Sequence, residues 1–158
     1  MIDAPFQHYR ATVIADWVDF NGHMNVAYYV LAFDRGTDAL FDALGIGTAY
    51  LRETNHSIFA LQTHIAYERE LRLGDPLSVR STILAIDRKR VHLFQEMFHG
   101  DQGWRAASFE SMGIHVDMSQ RRSAPFPPDL QASLAAAAAR HAALPRPAGI
   151  GRSIAMPA

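Results

Sequence analysis

The spacing of apolar positions changes along the chain, and each change marks a different kind of element. Residues 6–15 (FQHYRATVIA) predict a strand, bounded by Pro5 and by a polar stretch that begins at Asp16. From Val26 the residues Val26, Tyr29, Val30, Phe33, Thr37, Leu40, Phe41 and Leu44 recur every three or four positions, while Asp34, Arg35, Asp38 and Asp42 take other angular positions. That spacing predicts an amphipathic helix with Asn25 as its N-cap and Gly45 just past its end. A helix of this length spans about 28 Å, the width of a small domain.

After a connecting segment, residues 57–73 set Phe59, Leu61, Ile65 and Tyr67 against Gln62, His64, Glu68 and Glu70, which predicts a long strand with one buried face. Gly74, Asp75 and Pro76 make a turn. Leu77–Ile86, Val91–His99 and Trp104–Val116 read as three further strands, and the short connections 87–90 and 100–103 imply antiparallel hairpins. Residues 121–128 (RRSAPFPP) end the sheet, because proline cannot donate to a ladder. A helix follows over residues 129–144 with Asp129 as its expected cap, its alanine run reflecting propensity more than packing. The last residues read as a mobile tail. The expected fold class is α+β: one long helix wrapped by a curved antiparallel sheet of about five strands, plus a C-terminal surface helix. On this reading residues 1–126 form the domain and residues 127–158 the helix and tail.

Composition removes several function classes. The 158 residues, 49% hydrophobic and 20% charged, suit one globular domain. With 15 basic and 16 acidic residues the formal net charge is -1, so no strong electrostatic argument favours nucleic acid or an anionic membrane as partner. The absence of cysteine excludes a disulfide scaffold, a thiolate zinc site and a cysteine nucleophile. Neither an N-terminal signal segment nor a membrane-spanning stretch is expected, and a cytoplasmic location follows as the default. The eight histidines contain no H-E-x-x-H or comparable ligand pair, so no metal is expected. Phosphate-cradling glycine loops and a nucleophile elbow are missing as well.

What stands out is the stretch DWVDFNGHMNVAYY, residues 16–29, which crowds polar groups immediately before the long helix. Short polar side chains there can simply bond to nearby backbone. The unpaired N–H groups of a first helical turn can also hold a reacting carbonyl oxygen, and a carboxylate beside them can act as nucleophile or general base. Asp19 lies close enough to Asn21 and His23 to converge with them, and Gly22 can adopt positive φ.

The run Asp19–Tyr29 (DFNGHMNVAYY), followed by a long helix, resembles the signature of hotdog-fold acyl-CoA thioesterases of the 4-hydroxybenzoyl-CoA thioesterase type. Tyr67–Leu77 (YERELRLGDPL) resembles that family's second strand and turn, and the likeness covers roughly residues 6–126. The resemblance implies hydrolysis of a small or medium acyl-CoA. It implies Asp19 as the catalytic carboxylate, Asn21 as a positioning residue, Gly22 as a backbone donor to the thioester oxygen and His23 as an auxiliary group. Glu70 falls near a second carboxylate of related plant enzymes. Asn25 and Tyr28 adjoin the substrate, and Arg88, Lys89 and Arg90 would meet the phosphates of coenzyme A. A homodimer or dimer of dimers with the site between subunits is implied, with coenzyme A entering as part of the substrate and no cofactor needed. The longer run from Asp16 to Phe41 is similar to thioesterases that act on betainyl-CoA. For such a substrate Trp17, Phe20, Tyr28, Tyr29 and Phe33 could form an aromatic cage around a quaternary ammonium group. Two alternatives stay open: a hotdog hydratase or dehydratase using an Asp–His pair, and a non-catalytic acyl-CoA binding module.

Overall fold

The computed structural model describes residues 2–156. Strand β1 (Phe6–Thr12) leads through a 3-10 turn at Ala15–Trp17 into α1 (Val26–Leu44) and then α2 (Thr48–Thr54). Strands β2 (His56–Tyr67), β3 (Pro76–Ile86), β4 (Arg90–His99), β5 (Arg105–Asp117) and the two-residue β6 (Arg122–Ser123) follow, and α3 (Pro128–Ala142) comes last. The sheet is antiparallel in the order β1-β3-β4-β5-β2, with β6 paired to β5.

Helix α1 has the ends its sequence predicts. Asn25 is extended (φ -67, ψ 146) and its side chain accepts from the Ala27 N–H, while Gly45 takes the left-handed conformation at φ 75. Tyr29, Ala32, Phe33, Gly36 and Leu40 are buried, a stripe at helical spacing that lies on the sheet. Gly36 lets the helix approach closely: a Cβ there would stand 2.8 Å from Val79 Cγ1 and 3.1 Å from Gln95 Nε2. Two apolar clusters result. One gathers Met24, Phe33, Leu71, Val79 and Met97. The other gathers Phe6, Leu40, Ile83, Leu93 and Leu134 at the opposite end of the helix.

Several expectations change. The first strand stops at Thr12, because Ala15–Trp17 coils into the 3-10 turn. The segment 57–73 does not continue as one strand. β2 ends at Tyr67, and Leu71 then turns into the core with its N–H donating to Tyr29 Oη and its carbonyl accepting the Met24 N–H. Nor is any residue of β2 fully buried, although Ile58 and Ile65 pack partly against the two core clusters. β2 is an edge strand that α1 does not cover, so Phe59, Leu61 and Tyr67 are 38%, 57% and 47% exposed. Helix α2 occupies what reads as a connection, its first turn held by the Asp42 carboxylate accepting the Thr48 N–H.

In α3, Pro128 fills the first helical position, so Asp129 lies within the first turn and caps nothing. The alanine-rich helix does pack: Leu134, Ala137 and His141 are buried, and the helix lies against β3. The segment after it crosses to the sheet, where Arg105 Nη1 donates to the Ala148 carbonyl and the Gly151 N–H donates to Glu110. No helix among the described residues is long and apolar enough to cross a membrane.

Candidate active site

Between the 3-10 turn and α1 the chain makes a closed loop. Val18 and Met24 pair across it, the Asn25 N–H donates to the Trp17 carbonyl at 2.8 Å, and the Met24 N–H donates to the Leu71 carbonyl at 2.7 Å. Gly22 turns the loop tip at φ 79, a conformation that glycine adopts at no steric cost.

Within this loop the Asp19 carboxylate is held at both oxygens. Oδ1 accepts the Asn21 N–H at 2.8 Å, and Oδ2 accepts the Asn25 side-chain amide at 2.6 Å. The other end of the same amide caps α1, its Oδ1 accepting the Ala27 N–H at 2.9 Å. One asparagine therefore fixes the helix start and the carboxylate together. The Asn21 main-chain donor holds the Asp19 carboxyl below the usual aspartate range, with the Asn25 amide and the charge of His23 acting in the same direction. Asp19 is ionised throughout neutral pH.

The His23 ring turns its Nδ1 toward the Met24 carbonyl at 3.1 Å and makes no hydrogen bond to Asp19. Glu70 lies close enough to feel the charge of His23, but its carboxylate is taken by the Arg72 guanidinium, whose Nε donates at 2.9 Å and which keeps Glu70 below its ordinary range. Gly22 departs from its expected role: its N–H donates to the Asp19 carbonyl at 2.9 Å, closing the turn, and is not free for a substrate oxygen. A donor that the sequence pattern did not single out is the Val26 N–H. Val26 is the first helical residue, where an N–H has no intrahelical acceptor.

A groove of about 580 Å³ runs the length of α1. It starts at Ala27, one residue beyond Val26, and extends to Gly47 and Leu51, with β2 and β5 as its other wall. Its near end, at Ala27, lies two residues past the Asn25 cap that holds Asp19. Asp34 and Asp38 line it, although the helical pattern reads them simply as its polar side. The available signal was their four-residue separation on the helix without an intervening cation on that line.

Not every expected site residue converges. Tyr28 stacks on Trp17, ring centroids 5.6 Å apart, and lies off the groove. Tyr29 and Phe33 are core residues, 3% and 0% exposed, so the five-membered aromatic cage does not form within the chain. Arg88, Lys89 and Arg90 sit at the β3–β4 hairpin. β3 leaves the vicinity of the loop at Pro76 and reaches Ile86 ten residues later, which puts the hairpin roughly 30 Å from Asp19 in the same chain. There Lys89 Nζ donates to Ser123 Oγ at 3.1 Å and Arg90 pairs with Asp87 at 2.7 Å. Among the described residues no three His, Asp or Glu side chains converge as a metal-ligand set.

Known proteins resemble this chain over nearly its whole length. A betainyl-CoA thioesterase of Pseudomonas aeruginosa is 38% identical over 149 residues, 94% of either chain. An L-carnitine dehydrogenase/betainyl-CoA thioesterase of Rhizobium meliloti is 36% identical across 95% of this chain, which matches 30% of that longer protein. A Staphylococcus aureus protein solved in complex with CoA superposes with a TM-score of 0.89 at 30% identity, covering 99% of this chain and 98% of that one. The family profile of the thioesterase-like superfamily matches residues 13–134. With this loop on this helix-and-sheet frame, the chain belongs to the thioesterase-like superfamily, as a thioester hydrolase of the hotdog fold.

Proposed function

We propose that the protein hydrolyses a small acyl-CoA, of the betainyl-CoA type, to the free acid and coenzyme A, with Asp19 as the attacking group. The observation that carries this reading is the Asp19 carboxylate pinned by two donors at the start of α1, the helix that lines the groove from Ala27 onward. The acyl specificity rests on the likeness to betainyl-CoA thioesterases.

The lowered proton affinity of Asp19 keeps it an ionised carboxylate at neutral pH, the form that direct attack requires. An Asp19 oxygen adds to the thioester carbonyl carbon while the Val26 N–H, at the positive end of the helix, donates to the developing oxyanion. Collapse breaks the C–S bond and releases the CoA thiolate, which takes up a proton. Water then hydrolyses the mixed anhydride, returning the carboxylate and yielding the acid. Asn25 and Asn21 orient Asp19, and His23 supplies a nearby polar group whose ring is oriented by the Met24 carbonyl. This route uses no metal or cofactor.

The assembly we propose is a homodimer paired through β2. This edge strand carries exposed Phe59 and Leu61, and the neighbouring exposed Val26 and Val30 of α1 extend the apolar surface. Antiparallel pairing of two β2 strands would set the far end of one chain beside the near end of the other. Arg88, Lys89 and Arg90 would then come within reach of the second chain's Asp19 loop, where they could hold CoA phosphates.

The test is Asp19→Asn, which keeps the side-chain shape. Thiol release from betainyl-CoA should fall by on the order of a thousandfold with the melting temperature preserved. Near-normal kcat would remove Asp19 from the chemistry.

A further inference from the structure

Tyr29 is buried on α1, one helical turn past Asn25, with its ring edge-on to Tyr67 at 5.3 Å and 88°. The packing that holds the ring also aims its hydroxyl at the irregular segment between β2 and β3. There Tyr29 Oη accepts the Leu71 N–H at 3.0 Å and donates toward the Arg69 carbonyl at 3.4 Å, so it bridges the main chain on both sides of Glu70. Leu71 is wholly buried and lies outside every strand, so a side-chain oxygen does for its N–H what a ladder partner does elsewhere.

The segment is tied down at both ends. The Glu68 and Arg69 N–H groups donate to the Ala106 carbonyl at 2.8 and 3.0 Å, and the Val13 N–H donates to the Asp75 carbonyl at 3.0 Å. Between these ties the Leu71 carbonyl accepts the Met24 N–H at 2.7 Å. Met24 is buried, pairs with Val18 across the loop, and follows His23, whose carbonyl accepts the Asp19 N–H at 3.3 Å. A run of hydrogen bonds therefore connects the Tyr29 hydroxyl to the main chain of Asp19. Asn25 holds the carboxylate and Tyr29 holds the backbone behind it, both from the start of α1.

We propose that Tyr29 is a positioning residue for the Asp19 carboxylate, its hydroxyl fixing the loop through Leu71 and Met24. This role rests on the hydrolase reading, in which Asp19 meets the thioester carbon. Attack depends steeply on geometry: a displacement of about 1 Å costs on the order of a hundredfold in rate. Without the hydroxyl the buried Leu71 N–H loses its acceptor, and a buried donor is costly to leave unpaired, so the segment shifts and carries Met24 with it. The walls of the groove along α1 do not include Tyr29, Leu71 or Met24, so substrate binding is spared.

The test measures thiol release from the best substrate among betainyl-, acetyl- and benzoyl-CoA, well below the melting temperature, with kcat and KM resolved. Tyr29→Phe keeps the ring and should lower kcat about tenfold or more, with KM within about twofold of wild type. Replacing Leu71 by its α-hydroxy acid removes the same bond from the donor's side and leaves no N–H unpaired. It should lower kcat to a similar extent, and it decides the matter where Tyr29→Phe does not fold. Leu134→Ala opens a cavity in the second core cluster, away from the loop, and should lower the melting temperature with kcat and KM unchanged. Either bond-deleting variant, folded and with kcat within about twofold of wild type, overturns the proposal, as does a loss that falls on KM alone. If Asp19→Asn abolishes release while these variants match wild type, this proposal alone fails. Release from none of the three substrates by the wild type overturns the hydrolase reading and this one with it.

Discussion

Asn25 joins helix capping to the Asp19 carboxylate, the proposed catalytic group, and two substitutions separate those roles. Its Oδ1 accepts the Ala27 N–H at 2.9 Å and its Nδ2 donates to Asp19 at 2.6 Å. Asn25→Ala removes both bonds. Loss of the cap costs about 1 kcal/mol, which for a chain of this length lowers the melting temperature by about 2 to 4 °C. Asn25→Asp keeps a capping oxygen at the positive end of the helix, so the melting temperature should stay within about 2 °C of wild type. It replaces a donor to Asp19 by a second carboxylate, so the Asp19 proton affinity rises instead of being held down. Wild-type Asp19 has a lowered pKa, so its reactive carboxylate persists as pH falls and is lost only through that lowered value. In Asn25→Asp the acid limb of kcat/KM should therefore move to higher pH. At neutral pH activity should fall by on the order of tenfold through misorientation of the carboxylate. The assays are thiol release from about pH 4 to 9 and thermal melts of both variants. An Asn25→Asp enzyme with the wild-type acid limb and wild-type kcat/KM would refute the coupling of cap and carboxylate.

Two further outcomes derive from the fold. Leu61→Glu on the exposed edge of β2 should convert a dimer to monomer in sedimentation, and thiol release should fall with it; a variant of unchanged mass would remove β2 as the interface. His115 is buried, bridges Tyr50 Oη and the Ala124 carbonyl through its two ring nitrogens, and stacks on His56 at 5.0 Å. Burial lowers its pKa from the ordinary 6.5, so the unfolded chain binds the proton more readily. Stability present above about pH 6.5 should be lost as pH falls toward the folded value, and His115→Gln should flatten that decline in melts between about pH 7.5 and 5; an unchanged slope would place the acid sensitivity elsewhere.

Local signals were sufficient wherever one residue's chemistry decides its own backbone. Asn25 and Gly45 mark the two ends of α1 because a short polar side chain satisfies the first turn and a glycine tolerates the left-handed exit. The three hairpin strands were legible from alternation and short connections. The crowding of Asp19, Asn21, Gly22, His23 and Asn25 before an apolar helix was enough to locate the loop. Alternation in residues 57–73 could not show that β2 lies at an edge, because exposure of a strand face depends on what packs over it. For the same reason the alanine run of α3 did not disclose that Leu134 is buried against the second core cluster.

By itself, then, the sequence determined the order of helix and strands, the caps of α1 and the loop that carries Asp19, since each depends on neighbours a few positions away. Tertiary structure alone decided that Arg88–Arg90 lie at the far end of the fold from Asp19, and that Asp34 faces a groove. Those are statements about which groups face one another across the fold, and through-space contacts leave no period in a linear chain.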